Sequence, residues 1–321
     1  MNTSTKQNHT QQFYADVMAG LQASPKYMQS KYFYDTAGDQ LFQDIMNCDE
    51  YYPTNCELEI FAEQTADLAE AILVGGDGFD LIELGAGDAT KSSYLLQHLL
   101  DIKANFTYLP IDISDHVIDY LNSTLPVTLP GLQIDGLNGD YFDMLKKAAA
   151  RSTRRKVVLF LGSNVGNMPV SAAEKFCQEL RNHLSPGDMA LIGIDLKKNP
   201  KTILAAYNDK GGITKRFNLN LLERINSELN ADFDLSQFDH YPTYDPETGS
   251  CKSYLISLTD QTVKINGEPI TFLKNEHVFM EISQKYTITQ TDQLAKLAGF
   301  KTDGHFYDKK QWFLDVIWIA E

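Results

Sequence analysis

Apolar positions along the chain fall into two rhythms. Between Phe79 and Lys197, short apolar runs alternate with segments of helical spacing. FDLIELGAG reads as a strand entering a glycine turn, and KSSYLLQHLLD as the helix after it. FTYLPIDIS and DHVIDYLNSTL repeat that unit. LQIDGLNGDYFDML is a weaker third, KVVLFLGSNVGN with VSAAEKFCQELRNHL a fourth, and MALIGIDLK a fifth strand. β-rich apolar runs of this length, each followed by a helix, predict a parallel sheet with helices on both faces.

After Lys197 the rhythm changes. KTILAAYND and RFNLNLLERINSEL are helical, and CKSYLISL, QTVKING and EHVFMEISQKY are strand-like, with an Asn266-Gly267 hairpin turn. The earlier style returns with the helix ITQTDQLAKLAGF, the strand and turn GFKTDGHFYD and the last strand WFLDVIWIAE. At the other end, residues 1–13 read as a loose tail. FYDTAGDQLFQDIM then places Leu41, Phe42 and Ile45 at helical spacing after a glycine turn. Pro53-Thr54 opens one long helix, NCELEIFAEQTADLAEAIL, which VGGDG stops. The expected architecture is α/β: a doubly wound, Rossmann-like sheet domain, 56–197 plus 286–321, interrupted by an α+β insertion. The N-terminal segment 1–55 is expected to join the insertion 198–285, since neither piece is large enough to bury itself alone.

With 43% apolar residues the chain can build a real core. Lys plus Arg number 28 against 43 Asp plus Glu, a formal charge of -15, which argues against a nucleic-acid or anionic-membrane partner. No window approaches the roughly 18 apolar residues of a membrane span. The start, MNTSTKQNHTQQF, lacks the apolar core of a secretory signal, so a cytoplasmic protein is expected. Cys48, Cys56, Cys177 and Cys251 are scattered, and neither they nor the histidines have zinc-ligand spacing. Reduced thiols, no bound metal and a monomer are the expectation.

The first chemical signal is LIELGAGDATK. Glycines after a first strand allow a tight turn and close approach of backbone N–H groups to a ligand. Glu83 precedes Gly85 by two residues, and Thr90 stands where a dinucleotide loop has its third glycine. Without that glycine the pyrophosphate cradle is incomplete, which favours S-adenosylmethionine over NAD. Asp112 ends the next strand, where an acid can hold both ribose hydroxyls; Ser114 is the better N-cap for the helix that follows. Asp140 and Tyr141 follow the third strand, placed to meet an adenine amine and ring.

Taken together, FYDTAGDQLFQDI, EYYPT, ELGAGDATK, FLGSNVGN, AYNDKGGITKRFN and FMEISQKY carry a resemblance. The chain resembles the histidine Nα-methyltransferase family of ergothioneine biosynthesis, within a wider group that includes fungal amino-acid N-methyltransferases. The resemblance runs from about Lys26 to the end. It implies S-adenosylmethionine as methyl donor, a free amino acid as acceptor, and a substrate domain made from the N-terminal segment and the insertion. It aligns Gly85, Lys91, Asp112, Asp140 and Tyr141 with cofactor contacts, Lys91 being placed to pair with the methionine carboxylate. It aligns Asn167 and Tyr207 with residues that hold the amino-acid end, Tyr34 and Tyr51 with tyrosines lining the acceptor site, and Glu281 and Ser283 with the pair that reads an imidazole. Glu281 and Ser283 share one strand face by period two. One position departs: Ser253 falls where the bacterial enzymes usually carry methionine.

The reaction so implied is in-line methyl transfer to the α-amine of L-histidine, up to the trimethylated betaine. Positioning is its main device, with Tyr34 and Asn167 nearest the chemistry. Three alternatives stand beside it: an N-methyltransferase for another amino acid or amine, an NAD-dependent oxidoreductase, and a non-catalytic binding protein of the same fold.

Overall fold

The structure, a computed structural model, describes residues 3–74, 76 and 78–321. It divides into two units, residues up to Tyr52 with Lys198–Ser283, and Pro53–Lys197 with Gln284–Glu321. The stretch expected as a loose tail is helical from Thr3 to Gln22 (α1), Met1 and Asn2 lying outside the described residues. Thr3–Gln12 contains no apolar residue, so the pattern is silent there. The anchor is the second half, where Phe13, Val17, Met18 and Leu21 are buried in the first unit's core. The two-residue strand Lys26–Tyr27 (β1) follows, then Thr36–Met46 (α2). Asp35 caps α2 by accepting from Gly38 N–H at 2.7 Å. Gly38 therefore lies inside the first helical turn rather than before it. A Cβ there would collide with the Phe33 carbonyl oxygen.

In the second unit the one long helix expected after Pro53 is two, Tyr52–Glu63 (α3) and Thr65–Leu73 (α4). They part at Gln64, whose backbone leaves helical values and whose amide donates to the Tyr307 carbonyl at 2.7 Å. Of the VGGDG stop signal, Gly75 and Asp77 lie outside the described residues. Phe79–Leu84 (β2) is buried at every position, as a strand covered on both faces must be. Ser92–Asp101 (α5), Phe106–Asp112 (β3), Asp115–Thr128 (α6), Leu137–Asn138 (β4), Tyr141–Arg151 (α7), Arg155–Phe160 (β5), Val170–Asn182 (α8) and Met189–Asp195 (β6) continue the alternation. β2 pairs in parallel with β3 and β5, β3 with β4, and β5 with β6.

The insertion begins with Pro200–Ala206 (α9) and Ile213–Glu228 (α10). Phe238–Tyr244 (β7), Ser250–Ser257 (β8), Gln261–Ile265 (β9), Glu268–Phe272 (β10) and His277–Gln284 (β11) follow. Four strands form a sheet in the order β1-β11-β8-β7, with β1 parallel to β11. β9 and β10 form the expected hairpin, its Asn266 and Gly267 both at positive φ. Phe217, Leu221 and Ile225 of α10 pack in one core with Leu255, Val278 and Met280 of the sheet.

Ile288–Ala298 (α11) opens on a capping box between Thr287 and Gln290, and Phe300–Tyr307 (β12) and Phe313–Ala320 (β13) complete the larger sheet. Its order is β12-β13-β6-β5-β2-β3-β4. The sheet is not wholly parallel, for β13 runs antiparallel to both β12 and β6. The short connection 308–312 leaves room only for an antiparallel return. No helix among the described residues is long and apolar enough to cross a membrane.

Candidate active site

The parallel strands end on one edge of the larger sheet, the edge at which ligands of α/β folds bind. Gly85 leaves β2 at φ +71°, and Gly87 follows at φ +53°. The Tyr141 hydroxyl lies 2.7 Å from where a Gly85 Cβ would stand, while no described atom comes within 4 Å of the corresponding point at Gly87. Gly85 N–H donates to the Ile111 carbonyl at 2.8 Å, sewing the loop to β3. The Asp112 carboxylate accepts from Gly87 N–H at 3.3 Å and from Ser114 N–H at 2.9 Å. Ser114, as expected, caps α6. Asp140 caps α7, accepting from Phe142 N–H at 3.0 Å. Burial, with the Asp112 and Asp140 carboxylates behind it, pushes the Tyr141 phenol up to about 12, so it stays a neutral donor. A tight glycine loop, an acid at the end of β3 and an aromatic hydroxyl at the start of α7 fit an adenosyl cofactor.

Lys91 opens α5 and is bonded to the Glu57 carboxylate of α3. Glu57 also accepts from Gly162 N–H, at 2.7 and 3.0 Å to its two oxygens. Glu57 thus ties Lys91 to the turn that follows β5, and the spacing of motifs gave no sign of it. Burial works to lower the Lys91 pKa, but the acidic groups around it, Glu57 foremost, together outweigh it and leave the ammonium more basic than usual. Lys91 keeps 24% of its side chain exposed. Glu83 is an interior acid held by the Tyr108 hydroxyl at 2.6 Å. In the turn Asn164–Asn167, Asn167 is exposed and donates to Asn164 Oδ1 at 3.2 Å. Gly166 presses on the Gln284 backbone, since a Cβ there would lie 2.7 Å from its carbonyl oxygen.

In the first unit the remaining candidates gather around β11. Val278 and Met280 face its core, and Glu281 and Ser283 alternate to the other face. Tyr207, the C-cap of α9, donates to Ser283 Oγ at 2.7 Å. Asn218 of α10 donates to Glu281 Oε1 at 3.4 Å and to the Thr214 carbonyl at 3.0 Å. Tyr207 meets Tyr51 edge-on, and Tyr51 meets Phe42 in the same way. Tyr34, 47% exposed, packs edge-on against Phe42 and Phe217. Tyr34, Tyr51, Tyr207, Glu281 and Ser283 are therefore linked through Phe42, Phe217 and Asn218, which the motif reading passed over. The available signal was Asn218 itself, an amide on the buried face of an amphipathic helix. Ser253 is buried in β8, opposite Pro242 of β7. Among the described residues no group of three or more His, Cys, Asp or Glu is arranged to hold a metal ion.

Over residues 13–320 the chain matches the model of histidine-specific, S-adenosylmethionine-dependent methyltransferases. It is 34% identical over 273 residues to a histidine N-alpha-methyltransferase of Mycolicibacterium smegmatis, covering 84% of this chain and 83% of that protein. It is 30% identical over 283 residues to ergothioneine biosynthesis protein 1 of Neurospora crassa, covering 86% of this chain and 31% of that one. An L-tryptophan methyltransferase of Psilocybe serbica is 27% identical over 322 residues, with 92% and 89% covered. A match of that extent, on a Rossmann-like sheet with this glycine loop, places the chain in the histidine-specific methyltransferase family, as an S-adenosylmethionine-dependent N-methyltransferase.

Proposed function

We propose that the protein methylates the α-amine of free L-histidine, in successive rounds up to the trimethylated betaine. The observation that carries this reading is the polar set of the first unit. The Tyr207–Ser283 bond and the Glu281 carboxylate offer a free amino acid a donor, a hydroxyl and an anion on one strand face. S-adenosylmethionine supplies an electrophilic methyl group on a sulfonium. Gly85, Asp112, Asp140 and Tyr141 hold its adenosyl part, and Lys91 its carboxylate. Asn167 and Tyr207 fix the amino and carboxylate ends of the acceptor. Glu281 and Ser283 accept from and donate to the imidazole.

The α-ammonium must lose its proton to solvent before the amine attacks, and removal from water lowers the ammonium pKa and so favours the neutral amine. Tyr34 and Tyr51 exclude water and present ring faces that tolerate the growing cation. The protein's contribution is thus orientation and dryness. The product test is direct. With S-adenosylmethionine and L-histidine, mass spectrometry should show species heavier by one, two and three methyl groups, all on the α-nitrogen. Methyl groups on a ring nitrogen would defeat the reading.

Ser253 favours a second reading, another amino acid as acceptor, because a small hydroxyl stands where the resemblance sets methionine in the bacterial enzymes. Competition among the twenty amino acids for turnover separates the two. Histidine outcompeted by another acceptor would establish the second.

A further inference from the structure

Glu57 on α3, Glu83 on β2 and Asp315 on β13 all face Lys91. Their hydrogen bonds differ. Glu83 is held by the Tyr108 hydroxyl, and Glu57 takes hydrogens from Lys91 and from Gly162 N–H. Asp315 is fully buried, and neither of its oxygens receives a hydrogen from any described group. A carboxylate with no donor and no cation of its own is among the most costly groups to bury. The charged group that acts most strongly on Asp315 is Glu57, also fully buried. Gly193, paired with Asp315 across β6 and β13, makes room for both. A Cβ at Gly193 would collide with Glu57 Oε1 and lie 3.3 Å from Asp315 Oδ1.

Two buried carboxyl groups meeting beside a missing side chain need a hydrogen between them. We propose that Asp315 is held as a neutral carboxylic acid that donates its hydrogen to Glu57, and that this acid–carboxylate pair is a positioning device for the Lys91 ammonium and the Gly162 amide. The role assigned to Lys91 rests on the reading that it meets the carboxylate of S-adenosylmethionine. With its proton, the pair carries one negative charge against the one positive charge of Lys91, which stays able to attract an anion. A second negative charge would draw Lys91 inward and repel a ligand carboxylate. Burial pushes the Asp315 carboxyl well above the usual range, with Glu57 adding to the shift and Lys91 opposing it.

The test uses the whole protein, with S-adenosylhomocysteine as the probe ligand. Infrared difference spectra of native protein and Asp315→Asn at neutral pH should show a protonated-carboxyl stretch that the variant lacks. If no such band is lost, the proton is not there and the proposal falls. By calorimetry Asp315→Asn, whose amide still donates to Glu57, should bind within about threefold of native, and Asp315→Ala about tenfold more weakly. On going from neutral to alkaline pH, native protein should lose affinity relative to Asp315→Asn, because only an acid can gain the second charge. An amide variant that binds as poorly as the alanine variant, or that tracks native protein at every pH, overturns the positioning role. Native affinity in Lys91→Ala would overturn the reading of Lys91 and the positioning role with it, while the infrared band still judges the proton by itself.

Discussion

Tyr207 donates its hydroxyl hydrogen to Ser283 Oγ at 2.7 Å, joining the end of α9 to β11 across 76 residues of sequence. One of these residues is assigned to the amino-acid end of the acceptor and the other to its side chain, yet they share a hydrogen bond. Tyr207→Phe and Ser283→Ala should each raise the KM for histidine, and the double variant should lose less than the sum. A coupling energy of about 0.5–3 kcal/mol is expected from kcat/KM for the four proteins. Additivity within about 0.3 kcal/mol would mean that the bond has no part in recognition.

Asp112 binds the glycine loop and the start of α6 through its two oxygens. Asp112→Ala should weaken S-adenosylhomocysteine by roughly 1.5–3 kcal/mol, the range for hydrogen bonds to a charged group. Calorimetry measures this, with circular dichroism to verify the fold. Native affinity in a folded Asp112→Ala protein would remove Asp112 from the site.

Burial pushes the Glu83 carboxyl up to about 7 from its ordinary 4.5, against the opposing bonds from Tyr108 and Ser92. The folded protein therefore keeps a proton there that the unfolded chain has already released. This contribution to stability is complete below about pH 4.5 and is lost as pH rises through about 7. At about 1.4 kcal/mol per pKa unit it amounts to roughly 3 kcal/mol at most. Glu83→Gln cannot titrate. Urea unfolding should show native protein losing stability relative to the variant across that window, and parallel curves would refute the assignment.

Glu281 lies on the outward face of β11, within reach of the Asn218 amide. A site built to hydrogen-bond a substrate group rejects analogues that lack it, by factors of about 10⁴ in favourable cases. Native protein should prefer histidine strongly over phenylalanine and tryptophan. Glu281→Ala should lower histidine turnover and shift the preference toward aromatic acceptors. The readout is the ratio of kcat/KM values, and a ratio that does not move would show that another group reads the side chain.

The sequence carried the alternation of the larger sheet well, because buried parallel strands are continuous apolar runs and their helices have strong periodicity. It failed where periodicity is weak. β7 reads FDHYPTY, with Pro242 in its middle and few buried positions. It is an edge strand, where proline is tolerated and one side of the ladder is unpaired. α1 was missed because its apolar stripe begins only at Phe13. The candidate residues were marked by motif, but the groups that bond to them were not. Glu57 reaches Lys91 from a different helix, and Asp315 lies in a strand whose every neighbour is apolar, so nothing local marks either as part of a pair.

The first unit joins the start of the chain to a stretch made much later. Phe13, Val17, Met18 and Leu21 share a core with α10 and β11, and the strand β1 pairs with β11. During synthesis roughly 190 residues separate Leu21 from the start of α10, which at about 5–20 residues per second is a wait of roughly 10–40 s. For that time the apolar stripe of α1 is without its partners while the larger sheet begins to form. That sheet is itself incomplete until β13, which follows all its other strands in sequence, inserts between β12 and β6. An apolar stripe left uncovered for that long is open to misassociation, so the order of translation bears on folding yield alongside the stability of the finished fold.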